Sequence, residues 1–91
     1  MPEAKILTRH PRGKGGRNID RAKYDAIKGA ILSTLRRREL THTELFSHLK
    51  KRLAGKFSGN ISWYGETVKL DLEARKLIQR TDSTPQKYRL V

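Results

Sequence analysis

The chain contains no cysteine. Disulfides, thiolate metal sites and thiol nucleophiles are therefore excluded, and nothing in it calls for an oxidising compartment. Acidic residues are scarce: nine Asp and Glu stand against 21 Lys and Arg, a formal charge of +12 on 91 residues. A surface so charged repels itself, so the expected partner is a polyanion: DNA, RNA, an acidic protein or an anionic membrane surface. Long apolar runs are also missing. No stretch approaches the roughly 18 residues that a membrane span needs. Residues 1–21 hold no apolar core of signal-peptide length. The expectation is a soluble, cytoplasmic protein with no membrane partner.

Catalytic constellations are equally hard to find. His10, His42 and His48 are scattered, and no two stand four apart as in a helical metal site. Serines and threonines lack a convincing His partner. Gly13-Lys14-Gly15-Gly16 and Gly55-Lys56-Phe57-Ser58 echo phosphate loops, but neither completes the P-loop pattern nor follows an expected strand. So short a chain also leaves little room for a cleft. The expectation is no enzyme, no cofactor and no metal.

What is present is periodic. Asp20 is a good N-cap for a first helix, with Ile19 and Tyr24 as a hydrophobic staple. Tyr24, Ile27, Ile31 and Leu35 then recur on one face. Arg36-Arg37-Arg38 follow, where cations suit the negative end of the helix dipole; phosphate contact is their other role. Thr41-His42-Thr43-Glu44 is a capping box that starts a second helix, whose buried stripe is Leu45, Phe46, Leu49 and Leu53. Gly55 suits the left-handed position that ends it. A third helix runs from about Asn60 or Ser62 to about Arg75. Ile61, Tyr64, Val68 and Leu72 share one face, with Gly65 admitting a close neighbour. Trp63, Thr67, Leu70 and Ala74 form a second stripe nearly opposite. Asp71 and Arg75, four apart, can pair along it. The last segment reads as two short strands, Leu77-Ile78-Gln79-Arg80 and Tyr88-Arg89-Leu90-Val91, around the turn residues Asp82 to Gln86.

Residues 1–18 differ from all this. They hold glycine, proline and, from Lys5 to Arg17, only positive charge. The segment has no helical or strand period and reads as a flexible basic arm. Two roles stay open for it: a solvated tail, or an arm that orders on a phosphate backbone through Arg12, Lys14 and Arg17. Residues 19–91 form the folded domain. Three helices followed by a small C-terminal hairpin make a mainly α fold in the order of a winged helix-turn-helix.

The run Trp63-Tyr64-x-Glu66-Thr67-Val68-Lys69-Leu70-Asp71-Leu72-Glu73-Ala74-Arg75 resembles a family of short prokaryotic proteins of unknown function with a winged-helix-like fold. His10-Pro11-x-Gly13-Lys14, Asn18-Ile19-Asp20 and Pro85-x-Lys87-Tyr88-Arg89-Leu90 carry the same resemblance. It covers the chain from about His10 to the end. It implies a fold and brings no activity and no functional residues.

Function must therefore come from the residues. Binding of double-stranded DNA, as in a transcriptional regulator, is the leading expectation. Besides the arm, the candidates are Ser58, Asn60, Ser62 and Lys69 around the third helix, and Arg80, Lys87 and Arg89 on the wing. Capping is the competing role of Asn60 and Ser62, and edge protection that of the wing cations. Glu66 would repel phosphate unless paired. Trp63 and Leu70 are the candidate interface if the chain is instead a protein-docking or homodimerising module. RNA or ribosome association is the further alternative, although no RNA-binding motif supports it.

Overall fold

The computed structural model describes residues 4–91. It contains three helices and two small antiparallel sheets. In chain order these are β1 (Lys5–Leu7), β2 (Asn18–Asp20), α1 (Arg21–Leu35), β3 (Leu40–Thr41), α2 (His42–Leu53), α3 (Ile61–Ala74), β4 (Ile78–Arg80) and β5 (Lys87–Leu90).

The helix ends follow the local chemistry of the sequence. The Asp20 carboxylate accepts from the Lys23 amide at 3.1 Å, and Ile19 and Tyr24 beside it are both buried. At α2 both arms of the capping box form. Thr41 Oγ1 accepts from the Glu44 amide at 3.2 Å, and Glu44 Oε1 from the Thr41 amide at 2.9 Å. α2 is capped by Ala54, and Gly55 takes the left-handed conformation expected of it (φ 71°). Asn60 caps α3 by accepting from the Trp63 amide at 2.9 Å. At the other end of α3 the Leu77 amide returns to the Leu72 carbonyl and the Lys76 amide to Glu73. This is a Schellman motif, with Lys76 rather than glycine in the left-handed position (φ 62°).

The expected stripes meet in one core. Tyr24, Ile27, Ile31 and Leu35 of α1, Leu45, Phe46, Leu49 and Leu53 of α2, and Val68 and Leu72 of α3 are buried together. Phe46 crosses α3 at Gly65, where an added Cβ would stand 2.7 Å from its ring. The C-terminal hairpin pairs Ile78 with Leu90 and Arg80 with Tyr88, and Ile78 and Tyr88 close the core's open edge.

Two features differ from the sequence reading. The C-terminal sheet has a third strand: β3, only two residues long, pairs with β5 through Leu40↔Tyr88 and Thr41↔Lys87. A strand that short has no period to detect, and its second residue doubles as the cap of α2. The second difference is larger. The segment read as a flexible arm is a hairpin: Lys5, Ile6 and Leu7 of β1 pair with Asp20, Ile19 and Asn18 of β2. Its two strands are three residues each, too short to show a period, and Gly16 serves a tight crossing against Thr8.

Candidate nucleic-acid interface

The hairpin is fastened to the helices by polar contacts at its base. Thr8 is buried. Its amide donates to the Arg17 carbonyl at 2.9 Å, and its Oγ1 accepts from the Arg17 amide at 2.8 Å. Gly16 crosses so close that an added Cβ would fall 1.6 Å from the Thr8 carbonyl oxygen. Next to Thr8, the Arg9 amide donates to Asp71 Oδ1 of α3 at 2.8 Å.

Asp71 is fully buried and is shared by three segments. Besides the Arg9 amide, its carboxylate accepts from the Tyr24 hydroxyl of α1. It also accepts from Arg75 Nε, at 3.0 Å and 2.9 Å to its two oxygens. A buried carboxylate persists only with such partners. Burial, reinforced by the Asp71 hydrogen bond and charge, pushes the Tyr24 phenol up to about 12. Asp71 in turn raises the Arg75 guanidinium above its ordinary value.

Held this way, the loop between β1 and β2 lies over the outward face of α3. Arg12 and Lys14 of the loop, Leu70 and Glu73 of α3, and Arg80 of β4 line a groove of about 420 Å³. It is flanked by a second groove of about 270 Å³, where Lys14, Gly15, Gly16 and Arg17 face Thr67 and Leu70. Glu73 is the carboxylate in the first groove, and it is already engaged. It accepts from Lys69 Nζ at 3.0 Å and from Arg80, and it raises the Arg80 guanidinium above its ordinary value. No ion pair involves Arg9, Arg12, Lys14 or Arg17 among the described residues. The loop therefore sets uncompensated cations along a groove whose acid is neutralised.

Of the sequence candidates, Arg12, Lys14, Arg17 and Arg80 are brought together here, and all four are exposed. Lys69 differs: the sequence points to an exposed phosphate ligand, yet its side chain is 1% exposed. Tyr88 of β5 covers it, with Nζ 4.7 Å from the ring centroid and 3.3 Å from the hydroxyl. Glu66 and Glu73 lie 3.4 Å and 3.0 Å from its Nζ. Those carboxylates, three residues before and four after Lys69, were the sequence signal for an internal pairing.

The remaining candidates lie elsewhere. Asn60 is the cap of α3. Ser58 is exposed in the preceding loop, and Ser62 faces His42 and Lys50 across a separate groove between α2 and α3. Lys87 is half-buried beside β3, and Arg89 lies 3.4 Å from Glu39. Trp63 and Leu70 do not form one open stripe: Trp63 is 44% exposed, whereas Leu70 is half-buried under the loop. Glu66 is paired, with His42 Nε2 2.9 Å away. Burial alone would raise its carboxyl, but the His42 hydrogen bond and the Lys69 charge outweigh burial and hold it below the usual range. Nothing in the sequence signals the roles of Thr8, which ties its strand to Arg17, and of Arg9, whose backbone amide reaches a carboxylate 62 positions away.

The comparisons add a family. Residues 5–88 match a family of unknown function (DUF6958). The chain belongs to that family. The match takes in the hairpin as well as the helices, so the loop over α3 lies within the family's extent. No curated protein and no solved structure matches the chain. Among the described residues, no helix is long and apolar enough to cross a membrane, and no three His, Asp or Glu side chains cluster as metal ligands.

Proposed function

We propose that this protein binds nucleic acid, with duplex DNA as the first candidate, and that the hairpin loop makes the contact. The observation that carries the reading is the groove itself: Arg12, Lys14 and Arg17 converge on the outward face of α3 beside a carboxylate already neutralised by Lys69 and Arg80. A duplex phosphate backbone is the polyanion such a groove suits.

The element order supports a winged helix as the scaffold. A short strand follows α1 and joins the C-terminal hairpin in the order β3-β5-β4, with α2 and α3 between. In helix-turn-helix proteins the second helix of the motif enters the major groove. Here the corresponding face of α3 carries Trp63, Thr67, Leu70 and Ala74, flanked by Glu66 and Glu73, and has no free cation. Contacts from the loop to the backbone are therefore favoured over base reading by the helix, and the expected binding is tolerant of sequence.

The test is a fluorescence-anisotropy titration of random duplex DNA, and of single-stranded RNA, across a salt series. With Arg9, Arg12, Lys14 and Arg17 as phosphate ligands, the log–log salt slope for duplex should be about −4. Arg12→Ala/Lys14→Ala/Arg17→Ala should weaken binding by at least tenfold and flatten the slope by about 3. Lys87→Ala/Arg89→Ala should do neither. Absence of duplex binding near physiological salt would end the DNA reading, and binding of RNA alone would move it to that ligand.

A further inference from the structure

A second cationic surface lies away from the hairpin. α1 is capped by Arg36, so Arg37 and Arg38 stand beyond its last turn rather than serving it. They turn toward α2. With Ser33 and Thr34 of α1 and His48 and Arg52 of α2, they line a groove of about 470 Å³. Arg38 and His48 also line its continuation along α2, which reaches Lys51 and Ser47.

The groove is built as well as charged. Arg52 Nη1 donates across it to Ser33 Oγ at 3.0 Å, which holds that guanidinium in place. Among the described residues, Arg37, Arg38, Lys51 and Arg52 have no carboxylate within ion-pair distance. The carboxylate on this surface, Glu44, is bound to the Thr41 amide in the capping box. Four cations against one acid, with hydroxyls between them, again suit a phosphate backbone.

The two surfaces are separate. They share no lining residue. The hairpin joins the N-terminal end of α1, and the second groove lies at its C-terminal end, about 22 Å along a 15-residue helix. α3 packs against both α1 and α2, and its outward face under the loop is no part of the groove between α1 and α2.

We infer that the α1–α2 groove is a second nucleic-acid site, and that one molecule holds two duplex segments at once. The class of ligand rests on the function proposed above; the second site, the weaker of the two, and the bridging go beyond it.

Bridging is tested by capturing the protein on a bead-tethered duplex and then adding a labelled duplex of unrelated sequence. The unmodified protein should retain the labelled duplex. Arg37→Gln/Arg38→Gln/Lys51→Gln/Arg52→Gln should still be captured on the beads but retain the label at least fivefold less. The charge-preserving Arg37→Lys/Arg38→Lys/Lys51→Arg/Arg52→Lys should restore retention, which separates a charge effect from misfolding. Capture of the protein without retention of the label overturns the inference and leaves single-site binding standing. Undiminished retention by the Gln variant overturns it in favour of self-association. Failure of the protein to bind the beads overturns the function proposed above and this inference together.

Discussion

Asp71 shows how much one side chain can organise. It has an acid's cost of burial and offsets it with hydrogen bonds from three segments: the hairpin through Arg9, α1 through Tyr24, and its own helix through Arg75. The partnership has a pH signature. The Tyr24 phenol is raised to about 12 from an ordinary 10.0. A raised acid favours the protonated folded state, so its contribution is complete below pH 10 and is lost as pH rises through about 12. Tyr24→Phe should remove that alkaline component from a plot of stability against pH, measured by urea unfolding between pH 8 and 12. At neutral pH it should cost about 2 kcal/mol, because the lost hydrogen bond is to a buried carboxylate. Lys76 is the opposite case, a residue that strains its site. It holds a left-handed conformation at the end of α3 that costs a side-chain-bearing residue about 1 kcal/mol. Lys76→Gly should raise stability by about 0.5–1 kcal/mol and shift the thermal midpoint upward, because glycine adopts that conformation freely.

At the scale of elements, the helices were legible and the hairpin was not. Asp20, and Thr41 with Glu44, cap the helices that the sequence assigned to them, because caps act within three residues of themselves; of the two starts left open for α3, the cap is Asn60. Gly65 is the expected point of close approach, and Phe46 occupies it. By contrast, β1 and β2 are three residues each and are joined by a loop rich in glycine and cations. Such composition describes a mobile arm and a loop at a tight crossing equally well. The crossing is at Gly16, and it makes a prediction for the whole element. Gly16→Ala places a methyl group on the Thr8 carbonyl, so the base of the hairpin must open. Exchange of the Thr8 and Arg17 amides should accelerate by at least tenfold, and duplex binding should fall with it, while α1, α2 and α3 keep their protection. A variant with hairpin amides as slow as those of the unmodified protein would show that the crossing carries no such constraint.

For the molecule as a whole, the +12 charge makes a polyanion the expected partner but does not say which surface would meet it. Charge counts do not distinguish a lysine buried beneath Tyr88 from one in a loop. Of the cations named from sequence around α3 and the C-terminal hairpin, Lys69 and Arg80 are spent on Glu66 and Glu73, Arg89 lies beside Glu39, and Lys87 is half-buried beside β3. Arg12, Lys14 and Arg17 remain without an ion pair among the described residues. Arg37, Arg38, Lys51 and Arg52 do so on another side of the molecule. The sequence by itself determined the three helices, their ends, their buried stripes, the excess of positive charge and the absence of thiol chemistry. Those properties depend on neighbours within a turn or two of the chain. Only the tertiary structure decided that the first strands pair, that their loop lies over α3, and which cations are left for a partner. Each of these depends on residues far apart in sequence, such as Arg9 and Asp71, and so on which surfaces the fold brings into contact.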